Sequence, residues 1–193
     1  MRYQLAYCGV DCDYEEYEQG DGPGFDRSCW YNVKYDLGFD FPNLPYFVHG
    51  DIKLTESMAI GRYIAETWDE TLMGVGPVQR ANINMLADIL CGINLTQRRN
   101  SYLPDKKDVV IKSIKGGGIP KIVNFMGKNK FLTGSEPAWI DFFFFEMVEY
   151  MQFIMEGKLY ELYPTLEGYH KRMTDLPGLK EYLEDPDCPE KTR

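Results

Sequence analysis

Histidine is almost absent from this 193-residue chain: His49 and His170 are the only two. The five cysteines, Cys8, Cys12, Cys29, Cys91 and Cys188, include no C-x-x-C pair, so a structural zinc site is not expected and no metal is assigned. An odd number of thiols without a repeating spacing fits reduced, mostly packed cysteines. Long apolar runs are lacking too. The longest, residues 139–148, is interrupted by Asp141 and Glu146, which excludes it as a bilayer-spanning helix. Basic charge is scarce, giving a formal charge of −9 and a pI near 4.8. That balance argues against nucleic acid and against an anionic membrane surface as partners, since both ask for net basic surface. No charged-then-apolar leader opens the sequence, and the cytoplasm is the expected location. What is present is 44% apolar residues, enough for a packed core in one body or two small domains.

The stretch from 37 to 68 organises the rest. Apolar runs at 44–48 and 52–54 flank His49, Gly50 and Asp51, a pattern for an antiparallel hairpin. A helix follows, with Ile60, Tyr63, Ile64 and Trp68 recurring at three and four. Upstream, residues 1–7 read as helix, 14–17 as a short acidic strand and 20–24 as a loop. Residues 25–34 read as a short helix that Asp26 or Ser28 can cap. Gly74, Gly76 and Pro77 mark a linker over 69–77, and beyond it no strand pattern occurs. Helices are expected over 78–103, with Ile83, Leu86, Leu90 and Ile93 on one stripe, and over about 106–115, ending at three glycines. Others begin near Pro120, Pro164 and Pro177, and 139–155, apolar nearly all round, is the expected buried central helix. Residues 185–193 form a polar tail. The outline is an α/β unit over 1–69 followed by an all-helical unit over 77–193.

Three blocks carry a specific resemblance: D-R-S-C-W-Y-N-V-K at 26–34, L-G-F-D-F-P-N-L-P-Y at 37–46, and T-E-S-M-A-I-x-R-Y-I-A at 55–65. In that order and spacing they closely resemble the mu class of cytosolic glutathione transferases. F-L-T-G at 131–134, D-F at 141–142 and L-P-G-L at 176–179 extend the likeness over nearly the whole chain. The resemblance implies a thioredoxin-like glutathione-binding domain, incomplete at its start, joined to a helical C-terminal domain. It also implies glutathione as co-substrate, a small hydrophobic electrophile as second substrate, a role in detoxification, and a cytoplasmic homodimer.

It further implies roles for particular residues. Pro45 would be a cis proline that turns the Leu44 backbone outward, so that the cysteinyl part of glutathione pairs with it as an added strand; an ordinary trans proline at a strand start is the alternative. Ser57, at a helix start, would sit beside the γ-glutamyl carboxylate, where free N–H groups and a partial positive charge favour an anion. Read alone, Ser57 is a helix cap. Glu56 replaces the glutamine usual in the mu class; its carboxylate would pair with the ligand's α-ammonium and repel its carboxylate. Trp30 and Lys34, four apart and so on one helical face, would donate to the glycyl carboxylate, with Arg27 and Asn43 in the same motif. Alone, Trp30 would be a core aromatic and Lys34 a solvated charge. Phe41 would enter a pocket on a partner subunit, or else pack within its own chain.

The likeness begins part-way through the family's first helix, so the family's first strand and its catalytic tyrosine are expected upstream of Met1, and no residue of this chain is assigned as catalytic. The tyrosine stabilises a glutathione thiolate that is scarce at neutral pH when unaided. Alternatives stay open at this point: a non-catalytic binding or structural subunit, a glutathione-dependent isomerase, or chemistry taken over by Cys8 or Cys12. Both cysteines follow the first helix rather than precede it, where nothing obvious would lower a thiol pKa. Ala138 stands where the family has the Ser or Thr of a capping box with Asp141, which predicts a weaker helix start. Residues 97–103, with Arg98, Arg99, Asn100 and Tyr102, stand where the family lines its electrophile site and do not match it closely.

Overall fold

A computed structural model of the chain describes residues 1–101, 103–186 and 188. Gly50 makes the hairpin. It takes φ +58 at the first position of a two-residue turn between β1 (Tyr46–His49) and β2 (Ile52–Thr55), a conformation that glycine adopts without a Cβ penalty. The strands pair antiparallel with Phe47 opposite Leu54, and both side chains turn towards a small core of Leu5, Ile60 and Ile64. Those residues come from α1 (Arg2–Tyr7) and α3 (Ser57–Trp68), so the hairpin is roofed by the inner faces of two helices.

The acidic segment 14–17 is not a strand. Among the described residues the sheet holds β1 and β2 alone. The segment instead makes side-chain contacts: Glu15 accepts from the Tyr46 hydroxyl at 3.0 Å, and Glu16 pairs with Arg2 at 2.5 Å. The helix expected over 25–34 shrinks to α2 (Ser28–Tyr31). Asp26 accepts from both the Ser28 N–H and the Ser28 hydroxyl, an Asx turn that keeps 25–27 outside the helix. The turn does continue one step further, because Lys34 N–H donates to the Trp30 carbonyl.

The linker is anchored rather than loose. Asp69 accepts from the Thr71 N–H and hydroxyl, starting a 3₁₀ turn over Glu70–Met73 that buries Leu72 and Met73. Helices then follow as expected: α4 (Gly76–Ser101), α5 (Lys107–Gly116), α6 (Ile119–Met126), α7 (Trp139–Ile154), α9 (Pro164–Thr174) and α10 (Leu179–Glu184). A further short helix, α8 (Leu159–Leu162), was not evident from periodicity. Central α7 packs against α1, α3, α4, α5, α8 and α9 and buries Trp139, Phe142, Phe144, Phe145 and Val148.

The start of α7 is held by Asp141. Ala138 has no side-chain oxygen to return the bond of a capping box, but Asp141 still accepts from the Ala138 N–H at 2.8 Å. It also takes the Leu132 N–H at 2.9 Å and the Tyr169 hydroxyl at 3.2 Å, so three buried donors converge on one carboxylate. The loss of the Ser/Thr arm therefore leaves this helix start well tied. Burial raises the Asp141 carboxyl to about 6, opposed by these three donors. An unfolded aspartate titrates near ~3.9. Between the two values the folded chain binds a proton that the unfolded chain has lost, so the residue's stabilisation is fullest below about pH 4 and falls as pH rises through 6.

Two stability outcomes follow. Asp141→Ala strands three buried donors and is expected to cost about 3 kcal/mol or more at neutral pH, and more again near pH 4, in urea unfolding. Gln97 lies on the buried stripe of α4 with both amide atoms unpaired among the described residues. Gln97→Leu is therefore expected to raise stability by about 1–2 kcal/mol in the same assay.

Candidate functional site

The residues singled out in the sequence lie along one surface of the N-terminal half. Trp30 is 7% exposed, with its ring stacked on Tyr46 at 6.1 Å between centroids and met edge-on by Tyr17 at 5.1 Å. It is thus a packed aromatic, yet its indole N–H makes no hydrogen bond to a described residue. Lys34 lies on the same face, its ammonium 5.9 Å from the Trp30 ring and without an ion pair among the described residues. Arg27 donates to Gln19 at 3.2 Å and stands at the start of α2.

Tyr46 connects this end to the next. Two residues before it Leu44 is 42% exposed, and the Leu44–Pro45 bond is cis, as the resemblance implied. The Leu44 peptide N–H and C=O take no partner among the described residues. Asn43 donates to Glu56 at 3.4 Å, which carries the row on to the start of α3. Thr55 donates to the Phe41 carbonyl at 2.9 Å and fixes the loop whose tip, Phe41, is 81% exposed.

At α3 the reading of Ser57 as a cap fails. Glu56 occupies the capping position and Ser57 the first helical one, and neither side chain caps the helix. The Glu56 carbonyl accepts from Ala59 and Ile60, which leaves the first N–H groups and the Ser57 hydroxyl without partners among the described residues. Glu56 itself sits at φ +69, a left-handed value that a residue with a Cβ adopts at a cost of about 1–2 kcal/mol. Backbone held in that state points to a functional constraint at this turn.

The row is an open surface. Two cavities lie elsewhere, one of about 720 Å³ between Val75, Gln79 and Pro137 and another of about 530 Å³ beside Tyr7 and Trp68, and none of the residues above lines either. An extended ligand needs paired groups along its length more than an enclosed void. Sequence reasoning missed Tyr17 and Tyr46 as the floor under Trp30; the tyrosine of N-L-P-Y was a signal for one of them. Arg98, expected near an electrophile site, donates to Asn94 and Glu146, and Asn100 donates back to the Thr96 carbonyl. Tyr102 lies outside the described residues. Cys8 is not an activated thiol, since burial and the nearby Asp69 push it up to about 11. No group of three or more His, Cys, Asp or Glu able to hold a metal occurs among the described residues.

Comparison with known proteins adds to this geometry. The model of the family described as "Glutathione S-transferase, N-terminal domain" matches residues 1–66, and that of "Glutathione S-transferase, C-terminal domain" matches residues 105–186. The chain is 31% identical over 190 residues to glutathione S-transferase Mu 1 of Bos taurus, covering 95% of this chain and 84% of that protein. It is 33% identical to the class-mu 26 kDa isozyme 51 of Fasciola hepatica over 95% of this chain and 82% of that one. The chain belongs to the glutathione S-transferase family. The fold of this glutathione S-transferase also matches the solved structure of Blo t 8, a glutathione S-transferase, with a TM-score of 0.82 at 23% identity over 98% of this chain and 88% of that one.

The thiols offer a direct check on the site. Cys29 and Cys91 are exposed, whereas Cys8 is half-buried with its pKa raised. Iodoacetamide at neutral pH is expected to label Cys29 and Cys91 first, and Cys8 roughly tenfold or more slowly, by peptide mass spectrometry.

Proposed function

We propose that this glutathione S-transferase binds glutathione along Arg27, Trp30, Lys34, Asn43, Leu44, Pro45, Glu56 and Ser57, and transfers it to a small hydrophobic electrophile. One observation carries the reading: a row of polar groups without partners among the described residues, from the Trp30 indole N–H and Lys34 ammonium through the Leu44 peptide to the Ser57 hydroxyl and the first N–H groups of α3. Half-exposed polar groups with no partner among the described residues are open to a ligand that pairs with them. The order of their chemistry suits γ-glutamyl-cysteinyl-glycine: cations at one end for the glycyl carboxylate, a peptide edge in the middle, and a helix N-terminus for the γ-glutamyl carboxylate. Glu56 adds an acceptor for the α-ammonium.

The protein's part in this reading is to bind and orient. Pairing Leu44 with the cysteinyl peptide fixes where the sulfur lies, and a fixed nucleophile lowers the entropic part of the barrier. We assign no described residue to stabilising the thiolate. Tyr46, the aromatic nearest Leu44, donates its hydroxyl to Glu15, and burial together with Tyr17 and Glu15 pushes its pKa upward, which suits it as floor rather than donor. The same reading takes the division at 69–77 as a domain boundary, Phe41 as a contact to a second copy in a homodimer, detoxification as the role and the cytoplasm as the location.

Titration calorimetry with glutathione tests it. The native chain is expected to bind, and Lys34→Met or Ser57→Ala to weaken binding about tenfold. Absence of binding by the native chain overturns the reading. Conjugation of 1-chloro-2,4-dinitrobenzene above the uncatalysed rate is the expected outcome for transfer.

A further inference from the structure

Tyr31 and Tyr35 are conspicuous at the edge of this site. They are 55% and 76% exposed, and neither side chain makes a hydrogen bond or a contact with another ring among the described residues. Large aromatic side chains left in water call for a reason. The spacing of W-Y-N-V-K-Y supplies one: positions 30, 31, 34 and 35 share a face when the chain turns helically, and the Lys34 N–H to Trp30 carbonyl bond of 3.0 Å shows that it does. The Lys34 ammonium lies 4.9 Å from the centroid of Tyr35, 5.6 Å from Tyr31 and 5.9 Å from Trp30. All three distances are within the range over which a ring face attracts a cation.

We infer that Tyr31 and Tyr35, with Trp30, form a three-ring cage that positions the Lys34 ammonium for a ligand carboxylate. The inference deepens the glutathione reading and rests on it. A free lysine has about four rotatable bonds to immobilise when it pairs with an anion, and a strongly hydrated head to strip. Rings around the ammonium reduce both costs, yet they cannot neutralise the charge, because a π face supplies no counter-anion. With no carboxylate of the described chain paired to it, the caged ammonium keeps its charge available to an incoming anion. Tyr31 and Tyr35 are thus positioning residues that act through Lys34. They also set a preference: a ligand with a carboxylate at that end gains from the cage, and one without it does not.

The test compares glutathione with its glycyl monoethyl ester, which lacks that charge. Tyr31→Leu and Tyr35→Leu are each expected to weaken glutathione roughly two- to fivefold, and to leave ester binding unchanged. Tyr35→Phe should restore native affinity, since the ring and not the hydroxyl does the holding. Without any ligand, the Lys34 ε-methylene protons of the native chain should resonate upfield through ring currents, and the double leucine variant should lose that shift. Because both rings are exposed, the unfolding midpoint is expected to stay constant. Equal losses for glutathione and its ester, or none for either, overturn the cage while native binding still stands. An unshifted Lys34 resonance overturns it whether or not glutathione binds. Failure of the native chain to bind glutathione overturns the reading of the site instead, and with it the ligand assigned to Lys34.

Discussion

The position of the proposed site is set by a close contact one helical turn below Ser57. Gly61 brings α3 against Trp139 so tightly that a Cβ there would stand 2.9 Å from the indole ring. The Gln4 amide donates to the Gly61 carbonyl at 2.9 Å from the other side, and the Arg62 guanidinium covers the Trp139 ring at 4.7 Å. Trp139 is in turn the first residue of α7, whose start is fixed by the donors gathered on Asp141. From Asp141 to Trp139, Gly61 and finally Ser57, one line of rigid contacts joins the core of the helical half to the helix N-terminus at the surface. Close-packed interiors transmit displacement rather than absorb it, so the placement of Ser57 depends on residues that meet no ligand.

Binding groups on such a frame carry a cost that the frame must offset. Glu56 at φ +69, with its carboxylate beside a helix start that no side chain caps, works against stability. It lies in the segment 43–57, which reaches the small core of Leu5, Ile60 and Ile64 through Phe47 and Leu54. The larger core beneath α7 has defects of its own among the described residues, the unpaired amide of Gln97 and the unpaired indole N–H of Trp139.

How much of this the sequence made legible depends on the range of the interactions involved. Gly50 in a two-residue turn, the glycines after 115 and the prolines at 120, 164 and 177 act locally, and the elements they delimit lie close to where they were read. The 14–17 segment was misread because alternation describes a strand's faces but cannot supply a neighbour to pair with. Residues 25–27 left the helix because Asp26 satisfied Ser28 first, a competition between side chain and backbone that periodicity does not register. Trp30, Lys34, Leu44 and Ser57 were picked out through blocks of resemblance; their unpaired state came only from the structure. Tyr17 beneath Trp30 was invisible, since the two meet through tertiary packing alone.

A question of sign remains, and the geometry answers it. The chain carries −9, and Asp11, Asp13, Glu15, Glu16 and Glu18 crowd the segment beside the aromatic floor, yet the proposed ligand has two carboxylates. Charges more than about 8 Å apart are largely screened at physiological salt, so the overall charge affects encounter more than the bound state. Close in, the balance differs from the average: Glu15 is hydrogen-bonded to Tyr46 and Glu16 is paired with Arg2, while among the described residues Lys34 makes no ion pair and the first N–H groups of α3 no hydrogen bond. In the proposed row those two positive groups lie on either side of the Leu44 peptide, with Glu56 beside the second. A molecule with a carboxylate at each end, an amide in the middle and an ammonium near one terminus would answer each of them, so on that proposal the pattern of groups, and not the net charge, does the selecting.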